Sequence, residues 1–408
     1  MAVDTDIVVS GGGLIGTALA LAAAHSGLSV ALIDPSQPDV RMSDEFDGRS
    51  YALSLSSQRL LAAIGLWQGL AEKAQPILDI TVSDGRPETG PSPLFLHFDH
   101  AEIEEGPMGF MIEDRYLRRV LLSALETTEG ISSLFGQTAA GHTATAGAVE
   151  VTTDQGTVLR AGLLVAADGV RSPTARRSGL THLSWRYGQT SLVCALAHEA
   201  DNSGHAYQYF LPSGPLAILP LPDNRCSVVW TESTDTATKI QDMSDANYLD
   251  VLRPRFGDFL GDISLSGARF SYPLGLSLAR SFVTDRLALV GDAAHRIHPI
   301  AGQGLNAGFK DIAALVEVVA LAARRGDDIG RSDVLERYQR WRRFDVVALA
   351  AATDGFNRLF SNDIGVVRLA RDLGLATVGA LPGLRRGIIR EAAGLTGDLP
   401  LLLQGRQI

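Results

Sequence analysis

Only two cysteines, Cys194 and Cys226, occur in the 408 residues, both inside apolar strand-like runs. They are too few for a disulfide framework or a cysteine metal site, and a reducing, cytoplasmic setting is expected. Positive charge is also short: 36 Lys and Arg stand against 46 Asp and Glu, a formal net charge of −10. That balance repels phosphate backbones, so nucleic acid is not expected as a partner. Long apolar runs are missing as well. The stretch from Leu14 to Ile33 is broken by His25, Ser26 and Gly27, short of the roughly 20 residues of a bilayer span. Asp4 and Asp6 stand where a secretory signal would need positive charge, so export by that route is not expected. No internal repeat and no low-complexity segment is visible.

What is present divides along the chain. A length of 408 residues exceeds the roughly 250–300 at which one core stops growing, so two intertwined domains are expected. Ile7-Val8-Val9, a glycine cluster, an Ala/Leu-rich stretch, Gly27 and Val30-Ala31-Leu32-Ile33-Asp34 read as strand, turn, helix, turn, strand, the unit of a parallel sheet. Residues 56–73 and Leu117–Leu125 show helical periodicity, separated by a loop-rich piece with Pro76, Pro87, Pro91 and Pro93. From about 184 to 275 the pattern turns to strands: Thr190–Ala197, Ala206–Phe210, Leu216–Leu221 and Cys226–Trp230. After the buried strand Arg286–Val290 the chain is mainly helical. The fold class is therefore mixed α/β. A Rossmann-like nucleotide domain is expected from 1–75, 105–180 and 280–345, an inserted β-rich domain from 76–104 and 181–279, and a helical C-terminal region over 346–408.

Three motifs carry chemistry. Gly11-Gly12-Gly13-Leu14-Ile15-Gly16 is a G-x-G-x-x-G between strand and helix. In that setting Gly11 allows the tight turn, Gly13 lets backbone approach a pyrophosphate, and Gly16 lets helix and strand pack closely. Asp34, eighteen residues after Gly16 at the end of the next strand, is placed to accept hydrogen bonds from an adenosine ribose. Asp168-Gly169 follows an apolar strand; alone it reads more readily as an ordinary turn. The third run extends from Gly291-Asp292 through His295, His298 and Pro299 to Gly302-Gln303-Gly304-Leu305-Asn306. A carboxylate closes a strand there, and a glycine-flanked loop opens a helix whose N-terminus stabilises negative charge. His295 and His298 are three apart, but no further ligand cluster accompanies them and a proline ends the loop. Structural or loop roles are favoured over a metal site.

Together these motifs resemble the class A flavoprotein monooxygenases, the p-hydroxybenzoate hydroxylase fold, in order and spacing across nearly the whole chain. Asp47-Gly48-Arg49, Ala52-Leu53, Ile64-Gly65-Leu66-Trp67, Gly109–Glu113, Tyr187-Gly188-Gln189, Phe210–Leu221 and Tyr338, Arg343 and Asp345 narrow the likeness. They resemble the ubiquinone-biosynthesis hydroxylases. The resemblance implies that Asp34 holds the FAD ribose, Arg49 and Arg118 contact FAD, and Asp168-Gly169 serves FAD and reductant binding. It implies that Gly291-Asp292 binds the ribityl chain and that Pro299 to Asn306 line the isoalloxazine, with Pro299, Gly302 and Gln303 as the catalytic flavin loop. It also implies NAD(P)H or another donor as a transient reductant, O₂ as co-substrate, and a flavin C4a-hydroperoxide that hydroxylates a polyprenylated phenol. No side-chain nucleophile and no base is assigned. Asp34 stands where glutamate is commoner, and Asp114 stands where asparagine is usual, which leaves that contact open.

Rival functions share the fold. A flavin halogenase would carry Trp-x-Trp-x-Ile-Pro, which none of Trp67, Trp185, Trp230 and Trp341 begins. An isoprenoid reductase or a flavin-binding protein without turnover would show no substrate-stimulated oxygen uptake. The run from Tyr207 to Trp230 is expected to form a sheet floor opposite the flavin, with Tyr209, Leu219 and Leu221 facing either substrate or core. Between Ile364 and Arg390, apolar clusters alternate with Arg368, Arg371, Arg385, Arg386 and Arg390 against the single acid Asp372. That region reads either as a peripheral contact with anionic lipid or a lipid-carrying partner, or as an amphipathic helix packed on the fold.

Overall fold

The computed structural model describes residues 3–40, 42, 45–86, 90–299, 302–360 and 381–408. Its first sheet places five parallel strands side by side, in the order Leu287–Leu289, Val158–Ala166, Thr5–Ser10, Val30–Asp34 and Ile131–Phe135. Strands covered on both faces must be apolar throughout. Ile7, Val8, Val9, Leu32 and Leu163–Val165 are correspondingly sealed from solvent. Val158–Ala166 changes partner along its length: its first half pairs antiparallel with Val149–Thr153 and its second half parallel with Leu287–Leu289.

Nine strands form the second sheet. Its spine is His182–His198, Arg225–Ser233, Gly214–Leu221 and His205–Leu211, extended by the hairpin Asp79–Arg86 and Gly90–Asp99. The hairpin replaces the expected loop-rich piece. Pro91 lies in Gly90–Asp99, the sheet's edge strand, where proline is tolerated; Pro87 lies outside the described residues. Two helices not expected from the strand-like pattern, Thr234–Gln241 and Asp245–Phe256, cover one face of this sheet, packing Tyr248 and Phe256 in one core with Trp230 of the sheet. Ser233 and Ser244 start them by capping Thr236 N–H and Asn247 N–H.

Two long helices close the fold, Gln303–Arg324 and Ser332–Phe360. They are joined through one carboxylate. Asp311, with no exposed surface, accepts hydrogen bonds from Gly291 N–H at 2.9 Å, His295 Nε2–H at 2.6 Å and Arg342 Nε–H at 2.8 Å. Burial pushes its carboxyl up, but the contacts with His295 and Arg342 outweigh it and hold the group below the ordinary carboxylate value. Arg342 also pairs with Asp345 at 2.9 Å, so the buried arginine of this helix is Arg342 and not the Arg343 singled out by the motif.

Removing one partner of a buried pair strands the other charge. Asp311→Ala is therefore expected to cost about 3–5 kcal/mol, read as a lower denaturation midpoint. Asp345→Ala, whose carboxylate is half exposed, is expected to cost under about 1 kcal/mol. Because Asp311's folded carboxyl titrates below its unfolded value, its contribution is complete at neutral pH and is lost as pH falls through the folded value. An Asp311→Ala protein as stable as the parent would overturn this assignment.

Candidate functional site

The three motifs, far apart in sequence, meet at one point. Gly11 has φ +107°, and a Cβ there would lie 2.5 Å from the Ala167 carbonyl oxygen and 2.9 Å from Asp168 Cα. A Cβ on Gly16 would overlap the Gly11 carbonyl. A Cβ on Gly291 would meet Ile15 at 3.2 Å. Gly13 differs from all of these: nothing lies within 4 Å of its Cβ position. It precedes the helix Leu14–His25, which has no side-chain cap and no acid in its first turn. The first-turn amides are thus available to an external anion.

Around this turn the acids are placed differently. Asp34 is buried and accepts from Gly12 N–H at 2.6 Å and Ser36 N–H at 2.8 Å, bracing the glycine turn. Asp168 accepts from Thr174 N–H at 3.1 Å through Oδ2, whereas its buried Oδ1 has no partner. Asp292 reaches solvent, yet the protein packed around it pushes its carboxyl up, against the pull of His295 and Arg296. Gly169 holds φ +80° with nothing beside its Cβ position. An open cradle at a helix N-terminus, an orphaned buried carboxylate oxygen and a second acid at the next strand end fit FAD: pyrophosphate at Gly13, polyol hydroxyls at Asp168 and Asp292.

Arg49 and Arg118 converge on Asp114, at 3.4 and 2.7 Å, and Tyr51 OH donates to the same carboxylate at 2.8 Å. Burial raises the Asp114 carboxyl, but Arg118, Tyr51 and Arg49 bring it below its ordinary value. Asp114 is therefore a clamp on both arginines, which asparagine could not supply as a charge. The arginines wall an open cleft of about 600 Å³ with Phe46 and Asp47.

At the flavin loop, Gly302 takes a left-handed conformation, φ +65°, and precedes a helix with no side-chain cap and no first-turn acid. Gln303, Gly304 and Leu305 form its first turn, leaving the N-terminus able to stabilise negative charge. Asn306 is a brace: it accepts from Ser54 N–H at 2.9 Å and Ser57 Oγ–H at 2.8 Å, and donates to Ala52 and Gly302 carbonyls at 2.8 and 3.2 Å. Ile300 and Ala301 lie outside the described residues. The paired histidines part company, His295 held by Asp311 and His298 lining a narrow cavity with Pro299.

The sheet contributes Gln208, Pro215, Ala217, Val229 and Thr231 to that cavity. Tyr209, one residue from Gln208, faces the opposite side and packs in the core beneath the two covering helices. Leu219 and Leu221 belong to a neighbouring apolar cluster and do not line the cavity. Alternation did not say which side of its strand met the loop for Tyr209, whose neighbour Gln208 takes that side; Leu219 and Leu221 share the face of Ala217 but lie farther along the strand. Asp311 and Arg342 had no motif to mark them.

A strand-turn-helix cradle joined to two acidic turns defines a dinucleotide flavoprotein with a separate sheet facing the flavin loop. The FAD binding domain family model matches residues 4–353, and the chain belongs to this family of FAD-dependent monooxygenases. It is 43% identical over 403 residues to ubiquinone hydroxylase UbiL of Rhodospirillum rubrum, covering 98% of this chain and 92% of that protein. It is 34% identical over 394 residues to the 3-demethoxyubiquinol 3-hydroxylase of Escherichia coli, covering 96% and 99%. The fold is shared with p-nitrophenol 4-monooxygenase PnpA from Pseudomonas putida, at TM-score 0.79 and 20% identity over 98% and 100% of the two chains.

Two glycine variants separate cofactor contact from folding. A Cβ at Gly13 meets no protein atom, so Gly13→Val should fold while binding FAD roughly tenfold or more weakly, a change of about 1.4 kcal/mol or more. Gly16→Val should instead lower the unfolding midpoint, by about 1–3 kcal/mol of overpacking or more. Asp292→Ala should weaken FAD retention without a large stability change. Visible absorbance after gel filtration and thermal unfolding report the two effects; unchanged FAD affinity in both Gly13→Val and Asp292→Ala would overturn the site.

Proposed function

We propose that the enzyme hydroxylates the aromatic ring of a polyprenylated phenol in ubiquinone biosynthesis, with NAD(P)H or another donor as reductant. The observation that supports it most directly is the cavity between sheet and flavin loop. Its lining, Gln208, Pro215, Ala217, Val229, Thr231, His298 and Pro299, holds no cationic side chain. Such a wall suits an uncharged phenol and not an aromatic carboxylate, which would need a buried partner for its charge. The names of the relatives point the same way.

Bound FAD supplies the electron-transfer and oxygen chemistry. The chain supplies position. The amides after Gly13 would hold the pyrophosphate, Asp34 the ribose, and Asp168 and Asp292 the polyol, and the helix opened by Gly302 would stabilise negative charge on the ring system. Arg49 and Arg118 line the cofactor cleft. Pro299 and the sheet wall exclude water from the reacting face. The cavity measures only about 10 Å³, near one water probe, so ring entry displaces part of this wall.

A long isoprenoid tail favours delivery from a membrane surface. Among the described residues no helix is long and apolar enough to cross a membrane. Exposed Phe344, Val347, Phe356 and Leu359 along the second half of one long helix, from its middle to its end, and Leu384 and Ile388 on Pro382–Ala392, support peripheral apolar contact. The arginines support it less than their charge suggested. Arg385 pairs with Glu102 and Arg390 with Glu105, each at 2.7 Å. Arg368, Arg371 and Asp372 lie outside the described residues.

The FAD-loaded protein should consume O₂ and NAD(P)H faster when given a 2-polyprenylphenol and form the ring-hydroxylated product by mass analysis. Stimulated reductant use with no hydroxylated product from any prenylphenol would overturn the reading. In sedimentation with anionic vesicles, Phe356→Ser/Leu384→Ser should bind several-fold less than the parent. Arg385→Glu/Arg386→Glu should change binding little at high salt, where charge is screened. No vesicle binding by the parent at low salt would remove direct membrane contact.

A further inference from the structure

The sheet face that walls the cavity continues beyond it in two directions. Gln208 and Ala217 face each other across two strands in the lining, and Pro215, one row nearer the turn at Ser213, pairs with Phe210. Phe210 is two residues from Gln208 and so shares its face. In the other direction that face is filled: Ala195, Ala206, Leu219 and Leu221 pack with Phe98, Met111 and Ile389 in one apolar cluster. At the Phe210 end the helix Ser332–Phe360 lays its last turns on the sheet. Asn357 Nδ2–H donates to Gln189 Oε1 at 2.8 Å, and Gln189 Nε2–H donates to the Ser213 carbonyl at 2.8 Å. The Phe360 ring lies on Phe210 with 4.1 Å between centroids, and Phe356 stacks on Phe360 at 5.7 Å. Phe210 and Phe360 are buried, whereas Phe356 is 51% exposed. Three rings thus run in contact from the row beside the cavity to solvent. Charge beside them is matched, since Asp354 pairs with Arg358 at 2.9 Å.

A cavity of about 10 Å³ opens only if part of its surroundings moves. Moving Phe360 off Phe210 uncovers apolar area, which is unfavourable in water. A bare phenol, seated in the cavity, leaves that area uncovered. A hydrocarbon chain attached to the ring covers Phe210 again, and exchanging one apolar contact for another changes the free energy little.

Resting on the prenylated phenol argued above, we propose that the substrate's isoprenoid tail leaves the cavity past Pro215, takes the place of the Phe360 ring on Phe210 and ends against Phe356. Phe210 and Phe360 are then specificity-determining residues. They make opening of the cavity depend on a tail, and so favour prenylated phenols over bare ones. The route ends where Phe356 and Leu359 face solvent, on the surface argued above to meet the membrane. A tail following it stays on apolar side chains from that surface to the cavity.

The test measures hydroxylation by the FAD-loaded enzyme of 2-methylphenol, 2-prenylphenol and 2-farnesylphenol. In the parent kcat/KM should rise roughly tenfold or more from the methyl to the farnesyl compound. That ratio should fall several-fold in Phe360→Ala, where no ring has to leave Phe210. It should stay near the parent's in Phe360→Leu, which keeps an apolar side chain there; a merely structural role would not move the ratio. Phe356→Ser changes an exposed residue and should shrink the step from prenyl to farnesyl, so it carries the test if Phe360→Ala fails to fold. Independently of turnover, a 2-farnesylphenol with a diazirine at the far end of its tail should on irradiation label the tryptic peptide Phe344–Arg358. Equal kcat/KM for all three phenols in the parent overturns the inference and leaves the phenol reading standing. So do unchanged ratios in both Phe360→Ala and Phe356→Ser, or a label found only outside Phe344–Arg358. A parent that hydroxylates none of the three overturns the phenol reading and this inference with it.

Discussion

Asp311 is ionised inside a helix with no solvent contact, and three donors from three segments hold it there: Gly291 N–H, His295 and Arg342. A lone buried carboxylate would protonate or destabilise the fold, so the donors and the acid require one another. Their effect is positional. The bond to Gly291 sets the strand end that presents Asp292, the bond to His295 fixes one end of the loop leading to His298 and Pro299, and the pair with Arg342 anchors the helix that carries Asp354. The Asp292 turn, the loop and the helix Ser332–Phe360 are referred to one oxygen pair.

The glycine turn works by a complementary constraint. Gly11 and Gly16 are closed in by backbone, so their lack of a side chain serves packing between the turn, the helix and Ala167-Asp168. Gly13 is open on the same turn, with nothing within 4 Å of its Cβ position. The distinction is invisible in the motif, where the three glycines look alike, and it makes substitution at each position report a different property. A similar division separates the acids: Asp34 braces the turn, while Asp168 retains an oxygen without a partner.

The sheet opposite the loop shows why a substrate wall is hard to assign from pattern. Residues of one strand alternate between the core under the two covering helices and the cavity, so Tyr209 and Gln208 have opposite environments at adjacent positions. The larger, more aromatic side chain went to the core, where its area stabilises the fold, and smaller side chains at Ala217, Val229 and Thr231 were left to leave room for a ligand. Asp114 makes a related point for charge. A departure from the family's usual asparagine is matched by Arg49, Arg118 and Tyr51, whose contacts hold it ionised despite burial.

From sequence alone, the βαβ start, the helix around Leu117–Leu125, the four central strands of the second sheet and the mainly helical C-terminal part were legible. Each is written in local periodicity and in glycines or caps a few residues away. FAD as cofactor was legible too, since a phosphate cradle is local backbone geometry, and so was the family, through motif order. The two helices Thr234–Gln241 and Asp245–Phe256 were not, because their apolar residues follow directly on strands and resemble more of the same. Tertiary structure alone decided that Asp311 meets Arg342, that Arg385 meets Glu102 across 283 positions, and that His298 and not His295 enters the cavity. Local pattern says that a residue is buried or that a strand has two faces; which distant group shares the burial depends on how the chain closes on itself, and a charge or an imidazole takes its chemistry from that partner.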